Sequence, residues 1–94
     1  MNNKEAFVQR ADEHIILANK QMSEKMITPG EASASFMYGL ARFNAWVAAT
    51  DFDSAQDMKD SKEEIIEYFT KEYKNLLAQH IDEHIDSFDF SNKK

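Results

Sequence analysis

The stretch SFMYGLARFNAWVAA, residues 35–49, carries a single charge, Arg42, among aromatic and small apolar side chains. The spacing of its apolar residues predicts a helix, and that helix has almost no polar face. A helix that is apolar nearly all round is normally covered on several sides. The stretch therefore predicts an all-α fold in which this helix is covered by more than one neighbour.

Apolar residues at helical spacing predict a first helix from Asn2 or Asn3 to about Ile27. The sequence TPGE follows, and it is expected to break the helix, because Pro29 disfavours helix at Thr28 and Gly30 supplies a turn. The second helix is expected to begin near Ser33 and to end near Ala49. Its main apolar stripe consists of Phe36, Leu40, Phe43 and Val47.

A third helix is predicted after the sequence TDFD, with Asp53 as its N-cap and Gln56 completing a capping box. No glycine or proline follows. The apolar stripe shifts around the helix toward its end, which predicts a bend or break near residues 78–82. The last four residues, 91–94, are expected to fray.

These elements predict a single helical domain over residues 1–90, a three-helix up-down-up bundle with a long, bent third helix. Loops of four or five residues make consecutive helices antiparallel neighbours. The predicted helices are roughly 36, 25 and 50 Å long. The third helix is too long to be covered by the other two, so its last turns are expected to break or to contact something else.

Composition and charge narrow the possible functions. The chain has no cysteine, no apolar N-terminal signal and no stretch long enough to span a membrane, as expected for a cytoplasmic protein. Its net charge is −6, and residues 51–90 alone carry twelve acidic and four basic side chains. Such a surface repels phosphate, so neither nucleic acid nor an anionic membrane is an expected partner.

One segment, HIDEH at residues 80–84, resembles a metal-binding motif of zinc peptidases. His80 and His84 are four residues apart on a helix and can share a zinc ion, with Glu83 as a general base. A catalytic zinc needs a third protein ligand, and His14 is expected to lie too far along its own helix. The alternatives are packed histidines and a simple metal site. No catalytic residue and no cofactor is predicted.

The second helix also has a face of small residues, which allow another helix to approach closely. A second subunit is expected to cover this face, as in a homodimer. The alternatives are coverage within one chain and a small-molecule pocket. The predicted interface residues are Tyr38, Ala41, Arg42, Ala45 and Trp46.

Three segments resemble a family of small bacterial proteins, the domain of unknown function 3144. They are RADEHIILAN, SASFMYGLARFNAWVAA and FDS…EEIIEYFTKEYKNLL, and together they cover most of the chain. The resemblance implies one intact helical domain, and it implies no activity, substrate or catalytic residue. The leading hypothesis is a non-enzymatic interaction or scaffold protein that self-associates through the second helix and the end of the third. A metal-binding protein that uses the HIDEH segment is the alternative.

Overall fold

The computed structural model describes residues 2–92, and this part of the chain is all-α, without a strand. Four α-helices follow one another: α1 over Asn3–Lys25, α2 over Pro29–Ala49, α3 over Ala55–Asp60 and α4 over Lys62–Ser87. A short 3-10 helix, Phe90–Asn92, ends the described chain. Residues 91–94 were expected to fray. Of these, residues 91 and 92 are part of the 3-10 helix, and Lys93 and Lys94 lie outside the described residues.

Helix α1 begins and ends close to the predicted positions. The side chain of Asn2 accepts a hydrogen bond from the backbone N–H of Glu5, at 2.7 Å. This bond satisfies one of the free N–H groups of the first turn. The helix ends at Lys25 because Met26 adopts the left-handed conformation, with φ 53° and ψ 42°.

Helix α2 begins four residues earlier than predicted, because the sequence TPGE starts the helix instead of forming a turn before it. The N–H of Glu31 donates to Oγ1 of Thr28 at 3.1 Å, and the N–H of Thr28 donates to Oε1 of Glu31 at 3.0 Å. These two bonds form a capping box. Pro29 is the first helical residue, where its missing N–H costs nothing. The prediction that this helix begins near Ser33 was wrong.

The predicted third helix is two helices, α3 and α4. Ser54, not Asp53, caps α3 by accepting a hydrogen bond from the N–H of Asp57. The expected capping box does not form, since the side-chain amide of Gln56 donates to Asp60 instead. The helix is interrupted at Ser61, whereas α4 is continuous through residues 78–82, where the break was predicted.

The chain divides into two compact units, Met1–Ala45 and Trp46–Lys94. The first unit contains α1 and most of α2, and Ala32 is its one described side chain that is fully buried. In the second unit Ala48 is buried. Four large apolar side chains of this unit are half-buried, namely Phe52, Met58, Ile65 and Phe69.

Among the described residues, no large apolar side chain is fully buried in either unit. The main stripe of α2, expected to form the core, is instead exposed. Phe36 and Val47 are each 39% exposed, Leu40 is 42% exposed and Phe43 is 61% exposed. The helices are thus amphipathic, as predicted, but most of their apolar surface remains accessible.

Candidate functional site

An apolar groove of about 650 Å³ lies between α1 and α2, within the first unit. Side chains at helical spacing along α1 form one wall, and the main stripe of α2 forms the other. On α1 the wall residues are His14, Leu17, Ala18, Gln21 and Lys25; on α2 they are Ser35, Phe36, Gly39, Leu40 and Phe43, with Ile27 at the connection between the helices.

The rings of His14 on α1 and Phe36 on α2 form one contact between the two walls. Their centroids are 6.4 Å apart, and the ring planes are tilted by 51°. The groove remains open beside them, since Leu17 is 53% exposed and Leu40 is 42% exposed. Polar groups are few among the lining residues, so the groove suits an apolar occupant.

Gly39 lies in the α2 wall of this groove, in the interior of the helix. A Cβ atom added at this position would meet nothing within 4 Å. Glycine in a helix interior costs about 0.5–1 kcal/mol relative to alanine. Packing within the chain therefore does not require a glycine at this position.

The five predicted interface residues all lie on α2 and are all exposed. Tyr38, Ala41 and Ala45 share one face, which we call the alanine face, and it points away from the groove. Tyr38 is 69% exposed and Trp46 is 61% exposed. Arg42 lies beside this face and has no salt bridge among the described ion pairs.

The second half of α4 is a further accessible apolar surface. Every described side chain from Thr70 to Ser91 is exposed. Apolar and aromatic side chains nevertheless recur at helical spacing here, including Tyr73 at 44%, Leu76 at 51%, Leu77 at 42% and Ile81 at 49% exposure. An amphipathic helix normally buries such a face against a partner.

The HIDEH segment lies on this half of α4, and both histidines are accessible. The Nδ1–H of His84 donates to the backbone carbonyl of His80 at 2.8 Å, which leaves Nε2 of His84 as the atom open to a metal. Nδ1 of His80 lies 3.7 Å from the carboxylate of Glu83. Within residues 2–92, no group of three or more metal-binding side chains comes together.

Comparison with known proteins places the chain in a family. The family model "Protein of unknown function (DUF3144)" matches residues 7–85. The chain belongs to the DUF3144 family. A protein of that fold, NB7890A from a Shewanella species, has a structure determined by NMR. It is 41% identical to this chain over the full length of both, with a TM-score of 0.81. No curated protein matches the chain.

The family assignment confirms the resemblance seen in the sequence, and the helical class is confirmed as well. None of the described helices of this DUF3144 protein is both long and apolar enough to cross a membrane. The groove was not predicted, because the apolar spacing of α1 predicts a helix without showing which of its residues face α2. The spacing of His14, Leu17, Ala18 and Gln21, at positions i, i+3, i+4 and i+7, is the signal that would have identified this wall.

Proposed function

We propose that the protein is a non-enzymatic helical interaction module that functions as a homodimer in the cytoplasm. The observation that carries this proposal is the exposure of its large apolar side chains, none of which is fully buried among the described residues. Soluble monomers rarely expose contiguous apolar patches larger than a few hundred Å². A second copy would cover part of this exposed apolar surface.

The alanine face of α2 is the proposed contact between the two α2 helices. Ala41 and Ala45 allow close backbone approach, and the exposed ring of Tyr38 supplies apolar contact area. Arg42 and Trp46 border the contact. A two-fold axis at this face would bring the same residues of both copies together, as in most homodimers.

Light scattering at micromolar concentration tests the proposal. We expect a mass near twice the 10.9 kDa of one chain. Ala45→Glu should weaken association at least tenfold, because it places two carboxylates in one apolar contact. Ala55→Glu, the same change at the exposed first residue of α3, is the matched control and should leave the mass unchanged. A wild-type mass of one chain at every concentration would contradict the proposal.

Metal binding by His80 and His84 is the second candidate. The open Nε2 of His84, one helical turn from His80, is the observation that favours it. Titration with zinc by calorimetry separates the two functions. A stoichiometric micromolar site that is lost in His80→Ala would support the metal-binding function, whereas heat no larger than that of dilution would rule it out.

A further inference from the structure

We propose that Glu83 and the backbone carbonyl of His80 hold the rings of His80 and His84 so that both Nε2 atoms bind one zinc ion. This inference rests on metal binding by the two histidines, the second candidate function above, and it adds a positioning role for Glu83. In a zinc peptidase the glutamate of such a motif would act as a general base instead. Every group involved lies on helix α4.

The hydrogen bond of His84 identifies which of its ring nitrogens is free. Nδ1 of His84 lies 2.8 Å from the backbone carbonyl oxygen of His80. A carbonyl oxygen can only accept a hydrogen bond, so Nδ1 of the neutral ring carries the proton and Nε2 carries the lone pair. A metal-binding histidine almost always makes such a bond with its second nitrogen, because the bond fixes the tautomer and orients the ring.

The ring of His84 also has aromatic neighbours. Its centroid lies 5.8 Å from that of Phe88, and the ring of Phe88 lies 5.0 Å from that of Phe90 in an edge-to-face arrangement. Aromatic pairs at these distances attract each other. These contacts and the hydrogen bond together restrict the rotation of the imidazole, so the direction of its Nε2 lone pair is restricted as well.

Glu83 has the corresponding effect on His80. Its Oε1 atom lies 3.7 Å from Nδ1 of His80 and accepts a hydrogen bond from the side-chain amide of Gln79 at 3.3 Å. The negative charge of the carboxylate favours a proton on the nitrogen that faces it, which leaves the lone pair of His80 on Nε2. Gln79 in turn restricts the movement of the carboxylate. A carboxylate next to a metal-binding histidine is a common arrangement in zinc sites.

The two Nε2 atoms belong to side chains on one face of α4. Residues four apart on a helix are neighbours, with Cβ atoms about 5–6 Å apart, and two histidines at this spacing can bind one zinc ion. The side chain of His80 is 60% exposed, and His84 is exposed as well, so an ion can reach both from solvent. The histidines supply two of the four ligands that zinc prefers, and water supplies the others.

Calorimetric titration of the full chain with zinc chloride tests the role of Glu83. Wild type should bind zinc with micromolar affinity. Glu83→Ala should weaken the binding about tenfold, since the partners of metal-binding histidines typically contribute 10–100-fold to metal affinity. Glu83→Gln should recover part of this loss, because its amide oxygen still accepts a hydrogen bond from Nδ1 of His80.

Two controls accompany this titration. Asp82→Ala removes the same charge from an exposed residue that is two positions from each histidine and therefore on the other side of the helix. This variant should bind zinc as tightly as wild type. Magnesium chloride should give no heat beyond that of dilution, because Mg²⁺ prefers oxygen ligands.

Long-range proton–nitrogen NMR spectra of the metal-free protein give a readout that a merely structural role would not change. Wild type should have the proton on Nδ1 in the neutral rings of both His80 and His84. In Glu83→Ala the proton of His80 should move toward Nε2, whereas His84 should be unchanged, because its partner is a backbone carbonyl. Glu83 is exposed and alanine favours helix, so circular dichroism should show the same helicity in this variant.

The outcomes separate the metal site from the role of Glu83. A wild type that gives only heat of dilution with zinc would overturn the metal site and this inference with it. Zinc binding that Glu83→Ala leaves unchanged would overturn only the positioning role. Equal weakening by Asp82→Ala would reveal a general effect of negative charge and would overturn that role as well, as would an unchanged tautomer of His80 in Glu83→Ala.

Discussion

At the level of single residues, the capping box of α2 is the clearest local determinant of structure. Thr28, Pro29 and Glu31 each supply something that a helix start requires: a side-chain acceptor, a residue without an N–H, and a carboxylate that accepts from the cap. The same four residues contain the proline and glycine that commonly mark a turn. Because threonine comes first and glutamate fourth, these residues can form a capping box. The helix therefore begins at this sequence instead of after a turn.

Thr28→Ala should destabilise the protein by about 1 kcal/mol, because the N–H of Glu31 loses its acceptor in the first turn. Urea unfolding at a fixed protein concentration measures the change. Ser23→Ala is the control and should not destabilise the protein. Ser23 is exposed on α1, and its side chain makes no hydrogen bond among the described residues. An unchanged midpoint for Thr28→Ala would mean that the capping box contributes nothing.

Met26→Gly should stabilise the protein by about 0.5–1 kcal/mol. Met26 has a positive φ of 53°, a conformation that costs a side-chain-bearing residue roughly 1–2 kcal/mol and glycine almost nothing. The methionine is 89% exposed, so little packing is lost. Thermal unfolding measures the gain, and Met26→Ala, which retains the Cβ, should show none. Equal stability of the two variants would contradict the explanation.

At the level of helices, much could be predicted from the sequence. Apolar periodicity located α1, α2 and the acidic α4, because a repeat near 3.6 residues depends only on which face is apolar. The apolar pattern did not predict the break at Ser61. Met58 and Ile65 are two full turns apart, so they lie on the same helix face on either side of the break. The groove was not predicted for a similar reason. Apolar periodicity shows which face of a helix is apolar, but it does not show which neighbouring helix each part of that face contacts.

Gly39→Ala should stabilise α2 without weakening the association. Alanine should stabilise α2 by about 0.5–1 kcal/mol, since its Cβ meets nothing within the chain. Gly39 lies in the groove wall, on the side of α2 away from the alanine face, so the dimer should dissociate no more readily. Circular dichroism of dilute protein and sedimentation at higher concentration measure the two effects. Weaker association would show that the dimer contact includes the groove side of α2.

At the level of the whole molecule, stability and association are expected to be coupled. The spacing of Phe36, Leu40 and Phe43 predicts the main apolar stripe of α2. Spacing cannot show whether the residues that cover this stripe belong to the same chain or to another. In this structure these side chains are exposed. Burying apolar side chains is the dominant favourable term in folding, so a chain that buries few of them alone depends on its partner for stability.

The temperature of unfolding should therefore rise with protein concentration. A hundredfold increase in concentration favours a dimer by about 2.7 kcal/mol. For a dimer of about 190 residues, that energy corresponds to a rise of about 5–10 °C in Tm. Circular dichroism melts from 1 to 100 μM measure it. Ala45→Glu should flatten the dependence, because its folded state would be largely monomeric across this range, whereas Ala55→Glu should retain it. A wild-type Tm independent of concentration would mean that one chain is stable with its apolar stripes exposed, and the physical case for a partner would then be lost.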